Sequence, residues 1–374
     1  MTRRLTYLSG TRADFGLMQR TLEAIAASPA LALELVVTGM HLSDRFGRTE
    51  KEIEASGLPI ARRIAVPVDE DSGRAMGEAA GLVTAGMADY FAERPCDALI
   101  VLGDRGEMLA GAVAALYAGV PIVHIAGGER SGSVDESIRH AISKLAHLHC
   151  VAVEDGAKRL LSMGEEPWRI HITGTPGLAG IAEMACVGRD ELAARYGFDP
   201  ARPFALLLFH PVVQDAGEAG AQWRAIFAAL AREELQVLAL LPNADHGTDA
   251  IRDEIESSGL IRIEHMPRED YLSALKQAEF LIGNSSSGII EAASLGTAVV
   301  NVGDRQAGRL RSANVFDAEP TPDSVAEAIA GARAFDPAGL VNAYGEPHAD
   351  RRIRALLEEA DLASRRLRKK VMTY

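Results

Sequence analysis

Short apolar runs alternate along this chain with longer stretches whose apolar residues recur at helical spacing. A buried parallel strand reads as a continuous apolar run and its crossover helix as an amphipathic one, so the alternation predicts βαβ units. In the first half, strands are predicted over Leu5–Ser9, Leu33–Thr38, Ala98–Leu102, Ile122–Ile125, Cys150–Val153 and Ile170–Thr173, with helices such as Leu17–Ala27 and Ala75–Ala92 between them. The pattern then restarts. Strands are predicted over Phe204–Leu208, Gln236–Leu241, Arg262–His265, Glu279–Ile282 and Ala298–Val302, and helices over Gln222–Glu233, Thr248–Ser257, Arg268–Lys276 and Gly288–Leu295. The expected class is α/β: two Rossmann-like, doubly wound domains facing across a cleft. A chain of 374 residues also exceeds one ordinary core. The expected division is 1–173, 174–349 and a C-terminal helix within 350–374. That helix, the Asp350–Lys370 pattern, is either solvated or crosses back to brace the first domain.

Composition narrows the function. Apolar residues make up 48% of the chain and charged ones 24%, as in a globular protein. A net charge of −13 argues against nucleic acid and anionic membrane surfaces as partners, which need a basic footprint. It leaves room for a small anionic substrate held by a few arginines and backbone N–H groups. Cys96, Cys150 and Cys186 lack metal-ligand spacing and are expected as buried, reduced thiols of a cytoplasmic protein. The opening MTRRLTYLSG reads as a first strand rather than a signal peptide, and no apolar stretch approaches the roughly 20 residues of a membrane span. No metal or other cofactor is called for.

In open parallel sheets, ligands bind beyond the carboxyl ends of the strands. There the sequence collects glycine and polar residues. The first group is Gly10-Thr11-Arg12-Ala13-Asp14-Phe15-Gly16, a turn whose N–H groups and Arg12 suit an anion. It matches neither the dinucleotide nor the P-loop fingerprint. The second is Gly103-Asp104-Arg105-Gly106-Glu107, where Asp104 suits a base; the plain alternative is a helix N-cap. The third runs from His124 to His140 and includes Gly127, Gly128, Glu129, Arg130, Asp135 and Glu136. Carboxylates crowded among Arg and His shift one another's proton affinity, as acid/base chemistry requires. For Asp135 and Glu136 the alternative is first-turn charge on a helix. His147 and His149 read as ordinary core or interface histidines. In the second half, His210 and Asn243 stand at strand ends. Gly283-Asn284-Ser285-Ser286-Ser287-Gly288 leads from a strand into a helix and suits a phosphate. Glu291, one turn on, suits a ribose, and Arg305 follows the next strand.

Taken together, the strings GDR, HIAGGE, SVDESIRHAISKLAHLH, HP, GNSSSGIIE and GDRQ resemble the UDP-N-acetylglucosamine 2-epimerase family. The resemblance spans the GTRAD turn to about Arg311. It implies the GT-B fold and, from SIRHAISKLAHLH, the hydrolysing branch that makes N-acetylmannosamine-type sugars for sialic acid and its relatives. In that chemistry a base takes the C2 proton as UDP leaves C1, and water adds to the resulting 2-acetamidoglycal. The resemblance makes Asp104 and Asp135 the leading catalytic carboxylates, with Glu129 and His210 beside them. His210, Ser285, Ser286 and Arg305 would face the diphosphate, Arg12 from across the cleft, and Glu291 the ribose. Asn243 would lie near the nucleotide, and Asp14, His41 and Arg105 join the expected substrate contacts. The chain departs from the family at Ala126, where many relatives carry a catalytic glutamate, and near Ala179, where a carboxylate is frequent. The first-choice substrate is UDP-N-acetylglucosamine, and the alternative is UDP-N,N'-diacetylbacillosamine, on the route to legionaminic acid. A GT-B glycosyltransferase and a catalytically inactive sugar-nucleotide sensor are the other readings. A homodimer or higher homo-oligomer is the family expectation.

Overall fold

The computed structural model describes residues 2–70, 72–131 and 134–373. Among them are two sheets whose strands all pair in parallel. The first contains β1 (Arg3–Ser9), β2 (Leu31–Thr38), β3 (Ile60–Ile64), β4 (Ala98–Leu102), β5 (Ile122–Ile125), β6 (Leu148–Val151) and β7 (Ile170–Ile172). Its order is β3-β2-β1-β4-β5-β6-β7. The second contains β8 (Phe204–Leu208), β9 (Gln236–Leu240), β10 (Ile261–Ile263), β11 (Phe280–Gly283), β12 (Ala298–Val302) and β13 (Val315–Ala318), in the order β10-β9-β8-β11-β12-β13. Both orders reverse direction beside the first strand. The carboxyl ends of β1 and β4, and of β8 and β11, therefore flank a topological switch point.

The buried central strands match the apolar runs. β4 is buried at every position, and Ala98, Ile122, Phe204 and Ala298 open strands where expected. Two edge strands escape the pattern. In β3 the run is broken by Arg62 and Arg63, which leave the sheet for Glu93, Glu50 and Glu54. In β13 Asp317 breaks it and receives Asn301 Nδ2 at 2.6 Å. β6 begins two residues before the predicted Cys150, because the fully buried His149 is part of the strand.

The chain separates into two compact units. One comprises Met1–Glu129, Val134–Ala179 and Tyr344–Tyr374; the other is Gly180–Ala343, with which Arg130–Ser133 are grouped. The Asp350–Lys370 pattern is not one helix. It forms Ala349–Glu359 and a short turn Arg365–Arg368, separated by an extended Ala360 and a buried Leu362. Ala349, Ile353 and Leu357 enter the first core beside Phe15, Met18, Leu22 and Ile25. Likewise Gly288–Leu295 divides into a helix Ser286–Ile290 and a 3-10 turn Ala292–Leu295.

The three thiols differ. Cys150 is buried and Cys96 half-buried, and burial pushes them up to about 12 and about 11. Cys186, contrary to expectation, is exposed. Among the described residues no helix is long and apolar enough to cross a membrane.

Candidate functional site

At the first switch point, the turn after β4 carries Gly103 and Asp104. Gly103 has φ +74°, and its N–H donates to Ile125 O at 2.8 Å. Asp104 forms an ion pair with Arg139, whose side chain is 1% exposed. Arg139 also donates Nη1 to the Glu129 carbonyl at 3.2 Å. It stands on the helix Val134–Leu145, one turn after Asp135, so one buried guanidinium holds Asp104, ties down Glu129 and shares a helix with the second carboxylate. Glu129 is 7% exposed, and Asp135 and Glu136 are half-buried in the first helical turn. Glu136 lies 3.8 Å from His140, whose pKa burial lowers. Gly132 and Ser133, in the same predicted segment, lie outside the described residues.

Beneath this group sits His124. Its Nε2 donates to Gly103 O at 2.8 Å, and its Nδ1 accepts from Ser143 Oγ at 3.1 Å. Burial pushes its pKa down to about 3, so the ring is a neutral strut. A methyl group on Gly127 would lie 2.9 Å from His124 Nδ1, which explains a glycine there. Ala126 is strained at φ +61°, a left-handed conformation that costs a non-glycine residue about 1 kcal/mol.

The turn after β1 holds two of the expected site residues in a network of internal hydrogen bonds. Asp14 is the N3 residue of a capping box on the helix Arg12–Ala26. Its carboxylate accepts from Thr11 N at 2.7 Å, Gly10 N at 3.0 Å, Tyr7 OH at 3.2 Å and the Ser9 hydroxyl. His41 is fully buried, with Nε2 2.9 Å from Ser9 Oγ and Nδ1 2.9 Å from Thr49 Oγ1, and burial lowers its pKa. With both nitrogens engaged, it shapes the turn from behind. Asp14 and His41, both among the expected substrate contacts, thus make internal hydrogen bonds. Arg12, half-buried, opens the helix. Arg105 precedes the next helix, 3.5 Å from Glu107. Glu107, which the sequence reading did not single out, lies against the glycine turn: a methyl on Gly10 would meet its Cδ at 3.2 Å.

The second switch point is built around an amide. Asn284 is 1% exposed; its Oδ1 accepts from His210 N at 2.7 Å and its Nδ2 donates to His210 O at 2.8 Å. The strands can approach this closely because Gly283, at φ +137°, has no side chain; a methyl there would lie 2.0 Å from Leu208 O. Arg305 Nη1 and Gln306 Nε2 both donate to the Asn284 carbonyl, at 3.1 and 2.9 Å. Asn243 N donates to His210 Nδ1 at 3.4 Å, which leaves the ring proton on Nε2. Ser285 caps the helix Ser286–Ile290 by accepting from Ser287 N, and Ser286 is half-buried at its first position. Glu291, 2% exposed, is paired with Arg268. His210, Asn243, Ser285 and Arg305 thus lie around Asn284, and Glu291 stands at the far end of the short helix. Among the described residues no group of His, Cys, Asp and Glu could hold a metal.

His124, Arg139 and Asn284 carry these networks although the sequence pattern assigns them no role. The available signal for Arg139 was its spacing of four from Asp135, which puts both on one helical face.

Two Rossmann-like domains, with carboxylates at one switch point and amide and hydroxyl groups at the other, define a protein of the GT-B class. The chain belongs to the UDP-N-acetylglucosamine 2-epimerase family, whose model matches residues 23–358. It is 40% identical to a hydrolysing UDP-N,N'-diacetylbacillosamine 2-epimerase of Legionella pneumophila, over 99% of each chain. It is 35% identical to a UDP-N-acetylglucosamine 2-epimerase of Neisseria meningitidis, over 87% of this chain and 86% of that one. The crystal structure of the Methanocaldococcus jannaschii UDP-GlcNAc 2-epimerase, in complex with UDP-GlcNAc and UDP, shares the fold. Its TM-score is 0.82 at 16% identity, covering 96% of this chain and all of the other.

Proposed function

We propose that this enzyme is a hydrolysing 2-epimerase of UDP-2-acetamido sugars. The observation that carries the reading is the convergence of Asp104, Glu129 and the Asp135 helix on the buried Arg139. Asp104, oriented by that ion pair, takes the C2 proton as the C1–O bond to UDP breaks, giving the 2-acetamidoglycal. Asp135 and Glu129 then serve the hydration: one returns a proton to C2 on the opposite face while the other takes a proton from the water that adds to C1. Glu129, three residues beyond Ala126, is the carboxylate proposed to take over the role of the glutamate that many relatives carry at position 126. The departing diphosphate is held by His210 Nε2, Ser285, Ser286, Arg305 and Arg12, and the uridine ribose by Glu291, with Asn243 and Arg105 beside the substrate.

Of the two substrates, UDP-N,N'-diacetylbacillosamine is favoured by the full-length 40% identity. UDP-N-acetylglucosamine, the first choice from sequence, is supported by the Neisseria relative. Comparing UDP release from the two decides between them, and inertness toward both refutes the proposal. Turnover in deuterated water places deuterium at C2 of the free sugar; a product without it excludes elimination through C2. The carboxylate cluster Glu129–Glu136 argues against the alternative of a glycosyltransferase on the same fold. The proposal includes a cytoplasmic homo-oligomer without nucleic-acid or membrane partners; light scattering gives its mass.

A further inference from the structure

The segment Arg365–Thr373 has no part in the chemistry above, yet it is tied firmly to the loops and helix beside the first sheet. Arg169, fully buried, donates Nη1 to Leu367 O at 2.9 Å and to His147 O at 3.1 Å. Its Nη2 donates to Arg366 O at 3.1 Å and Lys369 O at 3.3 Å. The guanidiniums of Arg169 and Arg366 both lie over the Trp168 ring, 4.2 and 4.4 Å from its centroid. Thr373 N closes the segment on Gly164 O at 2.9 Å.

This anchorage delivers Lys370. Its ammonium donates to Ser143 O at 2.9 Å, to Lys144 O at 2.8 Å and to Glu165 Oε2 at 2.7 Å. Glu165 is itself buried and also takes Lys144 and His149, each at 3.0 Å. The Ser143 and Lys144 carbonyls belong to the last turn of the Val134–Leu145 helix, where no further helical N–H follows. A cation there also opposes the negative end of the helix dipole. The same helix carries Asp135, then Arg139, then Ser143, at successive turns of one face. Arg139 grips Asp104, and Ser143 steadies His124, which in turn holds the carbonyl of Gly103 next to Asp104.

We propose that Lys370 is a positioning residue for the reaction: by capping the Val134–Leu145 helix it fixes where Arg139 and Ser143 meet the Asp104 turn. The proposal rests on the reading of Asp104 and Asp135 as reacting groups. Lys370→Met keeps the length of the side chain and removes all three donors, while Glu165 retains His149 and Lys144. The expected result, assayed well below the unfolding temperature, is a kcat lower by about tenfold with KM within about twofold, and recovery of most of the loss in Lys370→Arg. Amide exchange across residues 134–147 rises in Lys370→Met, while β11 and β12 exchange as in the parent. An unchanged kcat, or a loss that Lys370→Arg fails to restore, overturns the proposal. So does unchanged exchange across the helix, whatever the activity. If the parent protein releases UDP from neither substrate, the functional reading falls, and the exchange measurement still decides whether Lys370 holds the helix. Lys370→Gln serves the same tests if the methionine variant fails to fold.

Discussion

The two sheets repeat one topology and differ in what they place at its turning point. In the first, the strand ends carry charge: Asp104 and Arg139, Glu107, Glu129, Asp135. In the second, the corresponding position is an uncharged amide, Asn284, clasping the His210 backbone, followed by Ser285 and Ser286 and bonded by Arg305. A shared strand order around the switch point therefore says where a ligand goes and nothing about what happens to it. Charged groups that share a proton suit bond making and breaking; a rigid lattice of donors suits holding an anion that leaves unchanged.

The largest test of that division is Asp104→Asn. Removal of a general base is expected to lower kcat about a thousandfold while UDP affinity, measured by calorimetry, stays within about threefold. Equal losses in both would show that the two switch points do not divide the work.

Acid should separate the units next. His41, His124, His140, His147, His149 and His171 all belong to the first unit, and burial lowers the pKa of each. Each ring binds its proton more weakly in the folded protein than in the unfolded chain, where it protonates near pH 6.5, so the unfolded chain binds more protons below that pH. Stability present above pH 6.5 is lost as the pH falls. For His124, folded at about 3, the loss between pH 7 and pH 5 is about 2 kcal/mol, and the others act in the same direction. Trp168 lies in the first unit and Trp223 in the second, so Trp→Phe variants let fluorescence follow each alone during urea unfolding. Equal acid sensitivity would contradict the expectation.

Asn284→Ala is the counterpart in the second unit. It leaves the His210 N–H and carbonyl without their partner, at about 1–3 kcal/mol, and should weaken UDP binding by about tenfold or more with a smaller effect on kcat. The smallest effect on activity is expected for Asp14→Ala. It leaves the Thr11 and Gly10 N–H groups and the Tyr7 and Ser9 hydroxyls without their acceptor, at about 2–4 kcal/mol in urea unfolding, and should leave KM unchanged; a raised KM would return Asp14 to the substrate.

Much of the scaffold was legible because a strand buried on both faces has to be apolar: β4, β8 and β12 follow their runs residue for residue. β3 and β13 were not, since an edge strand that feeds arginines or an aspartate to its neighbours loses that pattern. The switch-point turns were legible as places. Within them, the sequence could not distinguish a carboxylate that faces a ligand from one that caps a helix, although Thr11-x-x-Asp14 is itself a capping-box spacing. Arg139 and Asn284 were harder still, because their partners lie 35 and 74 residues away and no local spacing announces such pairs.

The unequal exposure of the three cysteines gives the chain a chemical address. Cys96 and Cys150 are shielded and resist forming thiolate, whereas Cys186 is exposed in the second unit, just before the helix Arg189–Tyr196. A maleimide dye added near neutral pH should couple at that one thiol. The native sequence thus accepts a single optical reporter, on the unit proposed to hold UDP, without any engineered cysteine.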